Sequence, residues 1–297
     1  MPITTKEASL KWGISDRRIR ELCQEGKIAG AFLNGKTWYL PDEAKKPVDG
    51  RIKKSPSYLR KILSLKKELD GKRPLTQGEL ERLNEEFVVE YTYNSNAIEG
   101  NTLTLRETDL VLKGITIDKK PLKDHLEAIN HKEAFDYLLM LVKENSPLSE
   151  KAILSLHSIV LADRREDSGI YRRVPVRIMG AAHIPPQPYK IEAKIQELLC
   201  WYQEDKGEDF LARLARFHIE FEAIHPFIDG NGRTGRLLVN LELMKLGYPP
   251  IDIKYADRTA YYEAFDAYHV KNDLKPMYNL FARYLYERLS GYLEILG

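Results

Sequence analysis

The sequence predicts a mainly α-helical protein with a small N-terminal unit and a larger helical body that carries one short β-hairpin. Three observations support this fold class. After residue 57, apolar residues recur at three- and four-residue steps through most of the chain, which is typical of amphipathic helices. Residues 41–56 contain three prolines, one glycine and five basic residues, which indicates a linker. Before that linker, Asn34-Gly35 forms a strong two-residue turn signal between apolar runs.

The first forty residues predict two helices followed by a hairpin. The first helix ends near Trp12, and Ser15 can cap a second helix over residues 16–25. Residues 28–40 then predict the hairpin. This order of elements is the outline of a winged helix-turn-helix unit.

The helical body begins with a long helix that is predicted to end near Ile98, where Gly100 stops it. Similar apolar patterns predict further helices over residues 123–144, 149–162, 190–204, 208–224, 235–246, 258–270 and 276–295. Residues 170–188 differ because they are β-branched and rich in arginine and proline, which predicts a short exposed hairpin or flap. We expect residues 51–100 to hold the linker and the first helices, and residues 101–297 to form the core of the body.

The composition is that of an ordinary globular protein, with 43% hydrophobic and 30% charged residues among 297. No apolar run approaches the roughly 18–20 residues of a membrane helix, and the first ten residues lack the basic-then-apolar layout of a signal peptide. The two cysteines, Cys23 and Cys200, are far apart, which argues against a disulfide scaffold. We therefore expect a cytoplasmic protein without a membrane partner.

The net charge of +2 hides an uneven distribution. Residues 1–54 contain twelve Lys and Arg against seven Asp and Glu, a net charge of +5, so the rest of the chain carries −3. A basic N-terminal unit on a mildly acidic body indicates that the two parts have different partners.

The most informative stretch is residues 225–236, with the sequence HPFIDGNGRTGR. It follows one apolar helix stripe and precedes another, so it is predicted to be a loop that leads into a helix N-terminus. Gly230 and Gly232 flank Asn231 and allow the backbone to point several N–H groups inward. Such a nest, with the dipole of the next helix behind it, is typical of an anion site.

The charged side chains of this stretch suit a polyphosphate. Arg233 and Arg236 lie three residues apart, and two arginines with backbone donors fit a polyphosphate better than a single carboxylate. Asp229 would repel that anion unless a cation lies between them, so we expect Mg²⁺ at Asp229. His225 has a side-chain pKa suited to accepting a hydroxyl proton near neutral pH. The stretch therefore predicts phosphoryl or nucleotidyl transfer with a general base.

A zinc site is the alternative for this region. His218, Glu222 and His225 fall on one face of the same predicted helix. Their spacing is imperfect for zinc and Pro226 follows at once, so packing or hydrogen bonding in the core is the better interpretation of His218.

Residues 225–236 resemble the signature of Fic-domain proteins, H-x-F-x-D/E-G-N-G-R-x-x-R, with every fixed position filled. The resemblance covers roughly residues 57–297 and implies a Fic-type helical domain with a small β-hairpin flap. It implies that His225 deprotonates a Ser, Thr or Tyr hydroxyl of a target protein, and that Asp229 holds Mg²⁺ on the α- and β-phosphates of ATP. AMP then passes to the hydroxyl and pyrophosphate leaves.

The same resemblance assigns the other ATP-binding residues. It implies an anion hole at Gly230, Asn231 and Gly232, and phosphate contacts from the stretch Arg233-Thr234-Gly235-Arg236, whose two arginines grip the β- and γ-phosphates. A kinase-like branch of the superfamily lacks the second arginine, so its presence favours AMP transfer over phosphate transfer. Transfer of another nucleotide or of a phosphoalcohol stays open.

Two further segments resemble parts of this family. Residues 169–186 look like the flap that docks a segment of the target by strand pairing. The residues that carry this resemblance are Gly169-Ile170-Tyr171-Arg172, then Val176, Arg177, Ile178, Met179 and Gly180, and then His183-Ile184-Pro185-Pro186. Tyr261 and Tyr262 look like the tyrosines near the adenine, although two core aromatic residues would give the same pattern.

Residues 95–100 match the inhibitory pattern of the family, S/T-x-x-x-E-G/N, with Ser95, Glu99 and Gly100 at its fixed positions. Ser95 and Glu99 are four residues apart and share one helix face. In relatives this glutamate pairs with the second arginine, here Arg236, and takes the place of the γ-phosphate. The resemblance therefore implies low basal activity, whereas a polar helix end capped by glycine is the plainer interpretation.

Residues 1–50 resemble the helix-turn-helix of excisionase- and MerR-like proteins. Arg17, Arg18 and Arg20 lie on the second predicted helix, where they suit contacts in a DNA major groove, although a solvated helix face has the same pattern. Specific DNA binding would suggest a homodimer. The first hypothesis is thus a self-inhibited protein adenylyltransferase that modifies a target protein or itself. The alternative is a DNA-binding transcriptional regulator that uses the Fic domain as a nucleotide sensor or self-modifying switch.

Overall fold

The computed structural model describes residues 2–12, 15–42, 44, 57–74, 76–178, 180, 183–204 and 207–296. The chain forms two units, Met1–Ser55 and Pro56–Gly297, which are considered separately below. Four sequence predictions fall wholly or largely outside the described residues: the linker at 41–56, the boundary between residues 50 and 51, the side chain of Arg18, and Met179.

Unit 1 contains the predicted two helices and hairpin. Its elements are β1 (Ile3–Thr4), α1 (Thr5–Trp12), α2 (Asp16–Gln24), β2 (Phe32–Asn34) and β3 (Thr37–Leu40). The three strands form an antiparallel sheet in the order β1-β3-β2, with Ile3 opposite Leu40 and Asn34 opposite Thr37. The sequence did not predict β1, because its two residues are strand only through their pairing with β3.

Arg17 and Arg20 of α2 are each paired with an acidic residue one helical turn away. Nε of Arg17 lies 3.2 Å from Oε1 of Glu21, and Arg20 contacts Asp16. Pairs of this kind at i and i+4 stabilise the helix itself by a few tenths of a kcal/mol. The interpretation of unit 1 as a DNA-binding winged helix-turn-helix stays a prediction.

Unit 2 is helical, and the prediction of a mainly α fold is confirmed. Its helices are α3 (Ser57–Gly71), α4 (Gln77–Ile98), α5 (Leu105–Leu112), α6 (Leu122–Lys143), α7 (Glu150–Val160), α8 (Ile191–Gln203), α9 (Phe210–Ile224), α10 (Asn231–Lys245), α11 (Arg258–Lys271) and α12 (Lys275–Leu296). Single 3₁₀ turns occur at Pro188–Lys190 and Tyr255–Asp257. Over the described part of the chain, none of the helices has the length and apolar character that crossing a bilayer requires.

The core of unit 2 is built around α9 and α10. Both helices bury side chains along their length, including Phe217 and Phe221 on α9 and Leu237 and Leu241 on α10, all without exposed surface. Helix α10 packs against α4, α6, α7 and α9. The loop of residues 225–230 therefore joins two helices that are held by neighbours on several sides.

Helix α4 places the predicted inhibitory segment, residues 95–100, beside the N-terminal turns of α10. Thr76 and Glu79 begin α4 with a capping box, and Glu99 is its C-terminal cap. Gly100 follows with φ = 97°, a left-handed conformation that glycine adopts without steric cost. The glycine thus ends the helix, and Glu99 projects from its last turn.

Two sequence predictions about elements are wrong. Helix α10 begins at Asn231 instead of residue 235, because Gly230 alone, at φ = 76°, makes the turn that was assigned to the whole glycine-rich stretch. The predicted hairpin at 170–188 is not formed: its described residues contain no strand. Pro175, Pro185 and Pro186 cannot donate to a ladder, and the segment instead bonds to the end of α9 through residues such as His183, whose Nε2 donates to the carbonyl of Ala223 at 2.9 Å.

Candidate active site

One cavity of about 660 Å³ in unit 2 brings together most of the residues that the sequence singled out. Its walls include residues of the loop, of α4, of the 170–188 segment and of α11. The predicted site residues among them are His225, Asp229, Gly230, Asn231, Gly232, Arg236, Glu99, Gly100, Ile178, Gly180, Tyr261 and Tyr262. The cavity volume lies in the range typical of small-molecule sites.

Other predicted residues lie near the cavity but do not line it. Arg233 is 1% exposed and Thr234 is fully buried. Gly235 lies against the side chains of His218 and Glu222. Val176 is half-buried and Arg177 is exposed on the 170–188 segment.

His225 occupies the turn that ends α9. Its backbone has φ = 47° and ψ = 61°, a left-handed conformation that is uncommon for a residue with a side chain. Nδ1 is buried and has no hydrogen-bond partner in the described structure. Burial lowers the pKa of His225 from its ordinary value, because it disfavours the charged imidazolium. The imidazole is therefore unprotonated at neutral pH and able to accept a proton.

Two buried side chains fix the loop between α9 and α10. Oδ1 of Asn231 accepts from the N–H of Phe227 at 2.9 Å, and its Nδ2 donates to the carbonyl of Phe227 at 3.0 Å. His157 of α7 stacks on the ring of Phe227 with 3.5 Å between centroids. Its Nδ1 accepts from the N–H of Gly169 and its Nε2 donates to the carbonyl of Asp229, both at 3.0 Å. The sequence assigned no role to His157, because this residue belongs to no recognisable group of catalytic or metal-ligating side chains.

The N-terminus of α10 lies where the sequence predicts an anion cradle. The first N–H groups of a helix have no partner within the helix, and the helix dipole favours negative charge there. Gly232 lies in this first turn, and a Cβ on it would collide with Oε1 of Glu99 and come within 2.9 Å of Nη1 of Arg236. The carboxylate of Glu99 thus occupies the space over the N-terminus of α10 that a side chain at position 232 would fill.

Arg236 holds that carboxylate and the end of α4. Its Nη2 donates to Oε1 of Glu99 and to the carbonyl of Ser95, both at 2.8 Å, and its Nε donates to Oγ of Ser95 at 3.0 Å. Arg236 is 2% exposed, whereas the side chain of Glu99 is 31% exposed. Nη1 of Arg236 is buried and finds no acceptor among the residues described. A phosphate group and this carboxylate cannot occupy the place beside Arg236 together.

Arg233 lies beneath the cavity wall between two carboxylates. Its Nη2 is 3.3 Å from Oδ1 of Asp229, and its Nη1 is 3.2 Å from Oε1 of Glu127 on α6. Glu127 also accepts a hydrogen bond at 2.9 Å from Nδ2 of Asn101, close to the end of α4. Sequence analysis missed Glu127, because its role depends on contact with a helix more than 100 residues away.

Asp229 is held by three donors. Its Oδ1 accepts from the N–H of Gly230 at 2.6 Å, and its Oδ2 accepts from Nη1 of Arg164 at 2.6 Å. Burial acts to raise the pKa of Asp229, but Arg233, the Gly230 N–H and Arg164 outweigh it and keep that pKa below its ordinary value. The carboxylate is therefore charged at neutral pH. Sequence analysis missed Arg164, which is 65 residues distant in the chain.

The two predicted adenine-contacting tyrosines differ in exposure. Tyr261 is 1% exposed, and its hydroxyl shares a 2.6 Å hydrogen bond with Nε2 of His218. Tyr262 is 45% exposed, and its hydroxyl donates to the carbonyl of Ile98 at 3.3 Å. Tyr261 is thus part of the cavity wall and of the core, whereas Tyr262 presents its ring to the opening.

The geometry around His218 opposes the zinc alternative. Burial, and then the nearby Glu99, raises the pKa of Glu222 to about 8, so this carboxyl is uncharged at neutral pH. His218 is already bonded to Tyr261. Within the described ranges, no three His, Cys, Asp or Glu side chains are grouped so as to hold a metal ion.

Comparison with known proteins identifies related sequences. The model of the Fic/DOC family matches residues 147–243. A protein adenylyltransferase Fic of Drosophila grimshawi is 32% identical over 240 residues, which is 79% of this chain and 49% of the relative. A protein adenylyltransferase Fic of Nematostella vectensis is 32% identical over 220 residues, 72% of this chain and 51% of the relative. The chain thus spans about half the length of these curated relatives.

Solved structures with this fold include a Fic domain containing signaling protein from Bacteroides thetaiotaomicron. It is 30% identical, with a TM-score of 0.74, and the match covers 81% of this chain and 97% of that one. Fic-1 from C. elegans is also 30% identical, with a TM-score of 0.71, over 80% of this chain and 71% of that chain.

His157, which stacks on Phe227, should make the free energy of unfolding depend on pH. Burial lowers the pKa of His157 to about 4, against about 6.5 in an unfolded chain. Between these values the unfolded state binds more protons, so the free energy of unfolding falls as the pH falls. Between pH 7 and pH 5 we expect His157 to account for about 2 kcal/mol of that fall. Denaturant unfolding of wild type and His157→Gln at both pH values measures it.

The substitution His157→Gln keeps a donor and an acceptor in place of the imidazole, so the variant should fold. Its unfolding free energy should depend on pH less steeply than that of wild type by the same amount. An equal dependence in both proteins would show that His157 is protonated within the folded protein.

Proposed function

Because the chain belongs to the Fic/DOC family, we propose that it is a protein adenylyltransferase that transfers AMP from ATP to a Ser, Thr or Tyr hydroxyl of a target protein or of itself. The observation that carries this proposal is one cavity that combines an unprotonated, partly buried imidazole, His225, with an anion cradle and the guanidinium of Arg236. A base and a polyphosphate site in one cavity are the two requirements of nucleotidyl transfer to a hydroxyl. The activity of the curated relatives agrees with this assignment.

In the proposed reaction, His225 removes the proton of the target hydroxyl. The hydroxyl oxygen bonds to the α-phosphorus of ATP, the bond to the bridging oxygen of the β-phosphate breaks, and pyrophosphate leaves. The N-terminal N–H groups of α10 and the unpartnered Nη1 of Arg236 stabilise the negative charge on the leaving phosphates. Both groups are already in position, so little reorganisation accompanies the reaction.

Asp229 is the residue proposed to hold Mg²⁺. Its carboxylate is charged, its side chain is 36% exposed, and it lines the cavity beside the cradle, so the donor type and place fit a hard cation shared with phosphate oxygens. When bound, Mg²⁺ would offset the charge of the phosphates. In the present structure Arg164 donates to Oδ2 of Asp229, so this oxygen must exchange one cation for another.

The proposed enzyme inhibits itself through Glu99. Its carboxylate occupies the cradle above Gly232 and pairs with Arg236, where a phosphate of ATP would otherwise bind. Glu99 is the C-cap of α4 and is nearly one-third exposed, so its side chain can move away without unfolding the core. Low basal activity follows, and displacement of this one side chain relieves it.

The 170–188 segment is proposed to dock the target. Ile178 and Gly180 line the cavity, and the described residues of the segment form no sheet, so a strand of the target would find no strand already paired there. DNA binding by unit 1, a homodimer and a cytoplasmic location stay predictions.

The first prediction from this proposal concerns Glu99→Gly. Removal of the carboxylate should raise the affinity for ATP at least about tenfold, equivalent to about 1.4 kcal/mol, because phosphate no longer competes for Arg236. Intact-mass analysis after incubation with ATP and Mg²⁺ should show added AMP on the variant. Glu85→Gly, the same change on an exposed part of α4, is the matched control and should behave as wild type. Equal labelling of both variants would contradict the inhibitory role.

The second prediction concerns His225→Ala in the Glu99→Gly background. Loss of the base should reduce AMP transfer by roughly 10²–10⁴-fold, the usual contribution of a general base. The affinity for ATP, measured by calorimetry, should stay within about twofold. Undiminished transfer by this double variant would contradict the assigned role of His225.

The third prediction concerns Arg164→Ala in the same background. Without the guanidinium, Oδ2 of Asp229 is free for a cation, so half-maximal ATP binding should need several-fold less Mg²⁺. Titration of ATP binding at fixed magnesium concentrations measures this. Arg165→Ala, the exposed neighbour, is the control. A higher magnesium requirement in Arg164→Ala would show that Arg164 supports the cation site instead of competing with it.

A further inference from the structure

Arg172 is a buried arginine that the proposed chemistry does not use. It is 4% exposed. Its Nη1 donates to the carbonyl of Val174 at 2.9 Å, its Nη2 to that of Pro186 at 2.6 Å, and its Nε to that of His225 at 2.8 Å. Throughout the described part of the chain, the side-chain acceptors of Arg172 are carbonyl oxygens. Burying a charge without a carboxylate is costly, so these bonds must offset the loss of hydration.

These carbonyl oxygens belong to two parts of the protein that must lie side by side for the proposed reaction, the segment after Arg172 and the end of α9. We call the described residues among 173–187, which are 173–178, 180 and 183–187, the flap segment. Val174 lies in its first arm and Pro186 in its second arm, on either side of the cavity-lining Ile178 and Gly180. His225 is the C-cap of α9, where the helix dipole presents partial negative charge. One planar guanidinium therefore joins both arms of the flap segment to the end of the helix that carries the proposed base.

Arg172 also fixes the backbone on which His225 sits. While Nε binds the carbonyl of His225, the backbone N–H of Arg172 donates to the carbonyl of Pro226 at 2.9 Å. Two successive peptide groups are thus held by one residue. A left-handed conformation in a non-glycine residue persists only where its surroundings impose it, and these bonds supply that constraint on His225.

The charge of Arg172 acts on His225 as well. Burial is the main cause of the lowered pKa of His225, and the positive charge of Arg172 lowers it further. The carbonyl of Glu222 and the carboxylates of Glu99 and Asp229 act in the opposite direction. Arg172 thereby helps to keep the imidazole in the form that accepts a proton.

We propose that Arg172 is a positioning residue that couples the flap segment to His225, so that a hydroxyl docked on the flap segment is presented to the imidazole at a fixed distance. The description of the docked group rests on the proposed function. The coupling itself is a property of this fold and can be tested without any activity.

Two variants separate the role of the planar guanidinium, which makes several hydrogen bonds at once, from the role of its positive charge. Arg172→Lys keeps the charge but cannot reach both arms and the end of α9 together. Arg172→Met keeps the length and removes both the donors and the charge. Arg173→Met, a change at the exposed neighbouring arginine, is the matched control. Circular dichroism and thermal melting identify the variants that retain the wild-type fold, and Arg172→Lys decides the test if Arg172→Met does not fold.

Limited trypsin digestion reports on the flap segment. Cleavage after Arg177, an exposed residue between the two arms, should be at least about tenfold faster in Arg172→Lys and Arg172→Met, because local opening no longer breaks the bonds to Val174 and Pro186. The control variant should be cleaved at the wild-type rate. Wild-type cleavage in both folded Arg172 variants would overturn the proposal.

Carbon-13 NMR of the histidine rings reports on the base. The His225 signal is assigned by its absence in His225→Gln, and its pH titration is then compared between variants. In Arg172→Met the titration should move to higher pH by about half a unit or more, since a neighbouring positive charge is lost. In Arg172→Lys it should stay near wild type. Identical titration in wild type and Arg172→Met would contradict the electrostatic part of the proposal.

Enzyme kinetics in the Glu99→Gly background provide the third measurement that tests the role of Arg172. With AMP addition to the chain itself as the readout, Arg172→Lys should lower the rate of transfer with little change in its pH profile, whereas Arg172→Met should also move the acid limb to higher pH. Absence of AMP transfer in the Glu99→Gly parent would count against the proposed function, while proteolysis and NMR would still decide the role of Arg172.

Discussion

The contact between Arg236 and Glu99 is the interaction on which the proposed chemistry of this protein depends. A guanidinium that is almost fully buried needs anionic or carbonyl partners, and α4 supplies them through Ser95 and Glu99. The place that the carboxylate takes is the N-terminus of α10, which favours any anion. One positive site is thus offered to two competitors, a side chain of the same protein and a phosphate group. The proposed inhibition then requires no large conformational change, because the two states differ in which anion occupies the site.

The rest of the fold keeps that site in one arrangement. Helices α9 and α10 are buried, and the loop between them turns sharply through left-handed residues at His225 and Gly230. Asn231 and His157 satisfy the buried polar groups of the loop from opposite sides. Gly232 has no side chain, and a Cβ at this position would occupy the space over the N-terminus of α10 where the carboxylate of Glu99 lies. The rigid part of the site therefore belongs to the core, whereas the parts that must exchange partners, including the carboxylate of Glu99, are partly exposed.

The sequence predicted the helices and the local half of the site, because apolar periodicity and the glycine-rich stretch are short-range signals. It grouped the loop, the predicted anion cradle and both arginines together, since they lie within twelve residues of one another. It did not indicate Arg164 or Glu127, which act through contacts with residues far away in the chain, and it placed Arg172 in the stretch that resembles the flap without assigning it a role. The hairpin at 170–188 was wrong for the same reason: its β-branched residues suit a strand, but the polar groups of the segment bond to the end of α9 instead.

A double-mutant cycle on ATP affinity tests the competition at Arg236 most directly. Calorimetry would compare wild type, Glu99→Gly, Arg236→Ala and the double variant, each as the full chain. If carboxylate and phosphate compete for this guanidinium, the gain in affinity from Glu99→Gly should be present with Arg236 and should vanish in the Arg236→Ala background. The same gain in both backgrounds would contradict the account, because Glu99 would then oppose ATP without acting through Arg236.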